Sequence, residues 1–164
     1  MQQNPQITQA KQPQNPTTVL QMKSGVVVMH TSQFLPGYCL LLADPQASAL
    51  NDLSHPKRAE FLVDMGLIGE AIEAICQPVR INYAILGNQD PFLHAHIIPR
   101  YDWESAAFKP LSIWRYPDET LTDPQHLFSI DKHSALRELI KQKLQDLQQS
   151  WYAFFLLSHF FGRG

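Results

Sequence analysis

The spacing of apolar residues divides this chain into short runs and longer stripes. The β-branched run Gly25-Val26-Val27-Val28-Met29-His30 predicts a strand, and Leu35-Pro36-Gly37 predicts a turn after it. Tyr38 to Leu42 reads as a second apolar strand, ended by Asp44-Pro45. A helix then opens at Pro56, which suits a first turn because its missing N–H has no partner there, with Ser54 or His55 as the cap. Phe61, Met65, Ile68, Ile72 and Ile75 recur at three- and four-residue steps as one inward stripe, leaving Glu60, Asp64, Glu70 and Glu73 outside. Gly66 and Gly69 each cost a helix about 1 kcal/mol relative to Ala, so they predict close approach of another backbone. Val79 to Leu86 and Phe92 to Ile98 read as two further strands in an antiparallel hairpin, the link carrying Gly87-Asn88 and Asp90-Pro91. A second helix is predicted from about Asp131 to Gln149, with Leu136, Leu139, Ile140, Leu144 and Leu147 on one side.

Residues 1–18 are Gln-, Asn- and Pro-rich and are expected to be a disordered tail. Residues 19–125 should form the domain core, with Tyr101 to Gln125 irregular, and 126–164 a C-terminal helix and apolar tail packed on it. This order of elements predicts one α+β domain with a mainly antiparallel sheet. The charge balance sharpens the picture: 13 Lys and Arg against 15 Asp and Glu give a net −2, which argues against a nucleic-acid partner held by a broad basic face. Cys39 and Cys76 sit in apolar runs and read as buried, reduced thiols. The N-terminal residues lack the pattern of a signal peptide, and Trp151 to Phe161 is about half of a bilayer span, so a cytoplasmic protein without a membrane partner is expected. Trp103, Trp114, Trp151 and the aromatic tail Phe154, Phe155, Phe160 and Phe161 are expected to pack in the core, with an interface as the other use.

The chemistry concentrates between Arg80 and Tyr101. Alternation along a strand puts Phe92, His94, His96 and Ile98 on one face and Leu93, Ala95 and Ile97 on the other. Two imidazoles are thereby held side by side on a rigid element. Arg100, just beyond, has bidentate reach towards a phosphate. The residues alone leave three readings open. The histidines can be two exposed side chains, or a His-x-His metal site completed by His30, Asp102 or Glu104. The third reading is a phosphate-handling pair.

Gly37-Tyr38-Cys39 through Asp44-Pro45, then Leu86-Gly87-Asn88 and His94-Ala95-His96-Ile97-Ile98-Pro99-Arg100-Tyr101, resemble the histidine triad (HIT) superfamily of nucleotidyl hydrolases and transferases. The resemblance runs from about His30 to Tyr101. It implies a five-stranded, mainly antiparallel sheet with a helix between strands and a C-terminal helix, and a homodimer. The family's His-φ-His-φ-His positions (φ apolar) fall on Phe92, His94 and His96. His94 thereby inherits the role of nucleophile towards an α-phosphorus, and His96 that of contact to the phosphate or its bridging oxygen. Asn88 matches a polar residue near the phosphate. His30 stands where relatives place a ribose-binding Asp or Asn, and Asn82 is a candidate polar support. Phe92 replaces the first triad histidine, as in a branch of the superfamily, and Ala43-Asp44-Pro45-Gln46 stands where many relatives have Pro-Lys-x-His. The implied reaction is hydrolysis of a dinucleoside polyphosphate such as diadenosine tetraphosphate, or of a nucleoside phosphoramidate, through a nucleotidyl-histidine intermediate. The motif requires no cofactor and no metal, magnesium arriving only with a substrate that carries it. The alternative is a non-catalytic nucleotide-binding module that lost its chemistry with the first histidine.

Overall fold

The computed structural model describes residues 4–161, with side chains through Phe154. Five strands, β1 (Thr18–Gln21), β2 (Gly25–Met29), β3 (Cys39–Ala43), β4 (Arg80–Ile85) and β5 (His94–Arg100), form one sheet in the order β1-β2-β3-β5-β4. Every neighbouring pair is antiparallel. The architecture is the expected α+β one, and β4 and β5 pair as the predicted hairpin. Helices α1 (Pro5–Ala10), α2 (His55–Cys76), α3 (Asp118–Thr122) and α4 (Ile130–Phe161) complete the fold.

One face of the sheet makes the main core. Val27, Leu41, Leu93, Ala95 and Ile97 meet Phe61, Ile68, Ala71 and Ile72 of α2 and Ile140 and Leu144 of α4, all fully buried. The helical stripe therefore works as predicted, with two exceptions. Asp64, expected outside, is buried and accepts from the backbone N–H (3.1 Å) and hydroxyl (2.6 Å) of Ser24, which satisfies it inside the protein. Leu139, expected inside, is half exposed. Gly69 is required by a side chain rather than a backbone: a Cβ there would lie 1.9 Å from the Tyr83 hydroxyl. Nothing stands within 4 Å of the corresponding position at Gly66.

The N-terminal expectation needs correction. Residues 5–10 are helical, and Ile7 and Ala10 are buried against Val26, Val28, Leu42 and Phe92 on the opposite face of the sheet. Composition averaged over the tail hides two apolar residues spaced i, i+3, which suffice to seat one short helix. Thr18 then ties the segment down, its hydroxyl donating to the Ala10 carbonyl at 2.6 Å. Both cysteines are free, Cys39 buried and Cys76 partly so. Among the described residues no helix is long and apolar enough to cross a membrane. Trp103, Trp114, Trp151 and Phe154 are all substantially exposed, contrary to the expected core role, and the side chains of Phe155, Phe160 and Phe161 lie outside the described residues.

Candidate active site

Alternation along β5 delivers His94 and His96 to the sheet face away from α2, and the cross-strand register places Leu42 beside His94 and Leu40 beside His96. The two imidazole centroids are 5.0 Å apart. Both rings line a cavity of ≈ 450 Å³, within the size range of small-molecule sites. Its floor is apolar, made by Val28, Leu40 and Leu42, and Gln6, Gln9 and Asn15 bring amides to its wall. His30 also reaches this cavity, stacked on Tyr38 at a centroid distance of 4.1 Å.

The ring of His94 is oriented by its own strand. Its Nδ1 lies 2.8 Å from the Phe92 carbonyl. A carbonyl only accepts, so Nδ1 carries the proton and, in the neutral ring, the lone pair is on Nε2. Phe92 itself is buried beneath α1, and its ring stands 4.9 Å from that of His94.

His96 is held differently. Its Nδ1 is 2.6 Å from the Tyr38 hydroxyl, and the indole of Trp114 stands 5.4 Å away at 87°. Burial, together with the neighbouring His94 and His30, pushes the His96 pKa down to about 4, so the ring is neutral at physiological pH. Burial also lowers the pKa of His30 and raises that of the Tyr38 phenol, which keeps its proton. Tyr38, Asp90 and Trp114 were not singled out in the sequence as part of this site. A signal for Tyr38 existed, since alternation puts it on the same face as Leu40 and Leu42.

The other anticipated phosphate contacts are elsewhere. Arg100 shares the face of the histidines but lies at the far end of β5, away from the cavity. Its five N–H groups are all used: Nε and one Nη donate to Glu104, and the rest reach Asn82 and the carbonyls of Leu111 and Lys109. Asn82 thus supports Arg100 rather than the cavity. Asn88 is exposed in the β4–β5 turn and does not line the cavity, where Asp90 stands instead and accepts from Gln6 at 3.3 Å. Asp102 is paired with Lys109 and Glu104 with Arg100, so neither is placed to complete a metal site with the histidines. Among the described residues there is no group of three His, Cys, Asp or Glu side chains that could hold a metal ion.

Residues 12–103 match the HIT domain family. A histidine triad protein from Marinobacter aquaeolei VT8 superposes with a TM-score of 0.68 at 17% identity, over 89% of this chain and 97% of that one. One from Bradyrhizobium japonicum gives 0.63 at 22% identity, over 78% of this chain and 91% of that one. The Plasmodium falciparum diadenosine triphosphate hydrolase, solved in complex with cyclomarin A, gives 0.56 at 18% identity, over 80% of this chain and 78% of that one. No match was found among curated proteins.

Proposed function

This chain belongs to the HIT domain family, and from that premise we propose that it is a nucleotidyl hydrolase acting on a dinucleoside polyphosphate or a nucleoside phosphoramidate. The observation that carries the reading is the 2.8 Å contact of His94 Nδ1 with the Phe92 carbonyl, which leaves the unprotonated Nε2 as nucleophile beside the cavity. Nε2 attacks the α-phosphorus, the P–O or P–N bond to the leaving group breaks, and the leaving group takes the electron pair and, where it is an amine, a proton from solvent. Water then attacks the phosphorus of the nucleotidyl-histidine, the P–Nε2 bond breaks, and the water proton passes to solvent. Dividing the transfer into two in-line displacements leaves the protein mainly to position groups and offset charge.

His96 meets the bridging atom. Tyr38 donates its O–H to His96 Nδ1, which places the imidazole proton on Nε2, where it stabilises charge developing on the leaving group. His30 contacts the ribose from the end of the cavity, and Asn88 reaches the phosphate only if the β4–β5 turn closes over it. The apolar floor takes the base. No metal enters the reaction except as magnesium carried by a polyphosphate substrate. The protein acts in the cytoplasm as a homodimer, a pairing supported by the exposed Tyr83 on the edge strand β4 and by Val79 and Leu86 just beyond its two ends.

The competing reading, a binding module without chemistry, draws on Phe92, which offers no hydrogen bond from the first triad position. Nucleotide release separates the two. The hydrolase releases AMP from diadenosine tetraphosphate or adenosine phosphoramidate, and His94→Ala abolishes it. Binding without turnover of either substrate supports the module.

A further inference from the structure

Trp114 lies on a short turn, Ile113–Arg115, beyond the 12–103 span that matches the family. The turn is pinned on both sides of the indole. Ile113 and Tyr116 are buried with Leu35, Tyr38, Ile98 and Tyr101, and the Tyr116 hydroxyl donates to Glu104 at 2.7 Å. Arg100 holds the approach to the turn by donating to the Leu111 and Lys109 carbonyls at 2.7 and 3.1 Å. On this well-fastened turn Trp114 is held in place while its indole is 47% exposed. The indole meets the His96 ring edge-on, 5.4 Å away.

The placement of His96 gives that exposure a direction. The cavity meets His96 from the β2 and β3 side, through Val28, Leu40 and Leu42, and no β4 residue lines it. Trp114 is not part of the cavity wall and reaches His96 from the loop after β5. His96 therefore borders both the nucleoside cavity and the indole. On the proposed reaction, the nucleoside of the attacked phosphorus fills the cavity and the bridging atom meets His96. Whatever is attached to that atom must extend past His96.

We propose that Trp114 is the stacking platform for the leaving portion of the substrate and selects a leaving group that carries an aromatic base. This rests on the hydrolase reading and chooses between its two substrate classes, favouring a nucleoside polyphosphate leaving group over a small amine. Loss of one base–aromatic stack corresponds to a roughly five- to 150-fold loss of affinity.

The test compares wild-type, Trp114→Ala and Trp114→Phe full-length protein. For each, kcat/KM is measured on diadenosine tetraphosphate and on adenosine phosphoramidate, and Kd for a non-hydrolysable diadenosine tetraphosphate and for AMP. The Trp114→Ala change lowers the dinucleoside-to-phosphoramidate ratio of kcat/KM by about tenfold, lowers the corresponding affinity ratio in parallel, and Trp114→Phe recovers most of both. Equal losses on both substrates would show that the indole acts only by supporting His96 and would overturn the proposal. Binding of both nucleotides without turnover would refute the hydrolase reading, while the affinity ratio would still decide the role of Trp114. Failure of the wild-type chain to bind either nucleotide would overturn both.

Discussion

The two ends of strand β5 carry polar side chains on the same face of the same sheet, and they do opposite things. At the Arg100 end every donor is consumed by the protein's own acceptors, and the guanidinium draws the loop after β5 into place. At the His94 and His96 end each ring is tied through Nδ1 alone, and both face a cavity. A saturated charge fastens structure, whereas a ring held by one nitrogen keeps the other for a ligand. The type of residue did not distinguish these ends; the hydrogen-bond partners did.

Substitutions at the two ends should separate accordingly. The largest effect is expected for His94→Ala, which removes the nucleophile and should lower kcat for AMP release by about a thousandfold or more, with the thermal unfolding midpoint little changed. Arg100→Ala should do the reverse in kind. It strands the buried Glu104 carboxylate and should cost about 3–5 kcal/mol in denaturant unfolding.

That pair also has a pH signature. Burial alone would raise the Glu104 pKa, but hydrogen bonds from Arg100, the Tyr101 N–H and Tyr116 hold it below the usual carboxylate value. A lowered folded-state pKa stabilises the protein above the unfolded value, and this contribution is lost as pH falls through the folded one. Unfolding titrations from neutral pH into the acid range should show this loss in the wild type and a shallower slope in Arg100→Ala.

His96 sharpens the comparison from the other end. With its pKa pushed down to about 4, it binds protons in the unfolded chain between its ordinary value of 6.5 and about 4 while the folded protein does not. Stability is therefore lost as the pH is lowered from about 6.5 towards 4, and His96→Asn should remove part of that loss. The smallest expected effect on turnover belongs to Tyr38→Phe, which deletes one hydrogen bond to His96. It should lower kcat by about tenfold with little change in KM, as measured in steady-state assays.

Much of this was legible in the chain. The β-branched run at Val26–Val28 and the hairpin strands announced themselves through their apolar spacing, and alternation alone put His94 and His96 on one face. Strand β1 was not identified from the pattern, because Thr18–Gln21 is short and only Val19 is deeply buried. Helix α1 escaped because its anchoring rests on Ile7 and Ala10 within a polar segment. Asp64 was misjudged because its partner Ser24 is distant in sequence, and a buried carboxylate cannot be told from a solvated one without that partner. The engagement of Arg100 by the protein's own acceptors was hidden for the same reason. Glu104 was visible four residues downstream, but its burial was not.

The central claim is that His94 Nε2 forms a covalent bond to phosphorus although Phe92 stands in the first triad position. Intact-protein mass spectrometry after brief mixing with diadenosine tetraphosphate or adenosine phosphoramidate tests it most directly. The account predicts a transient adenylyl adduct on the wild-type chain, lost in His94→Ala, with AMP appearing as the adduct decays. AMP release without an adduct at any mixing time, or an adduct that persists in His94→Ala, would contradict it.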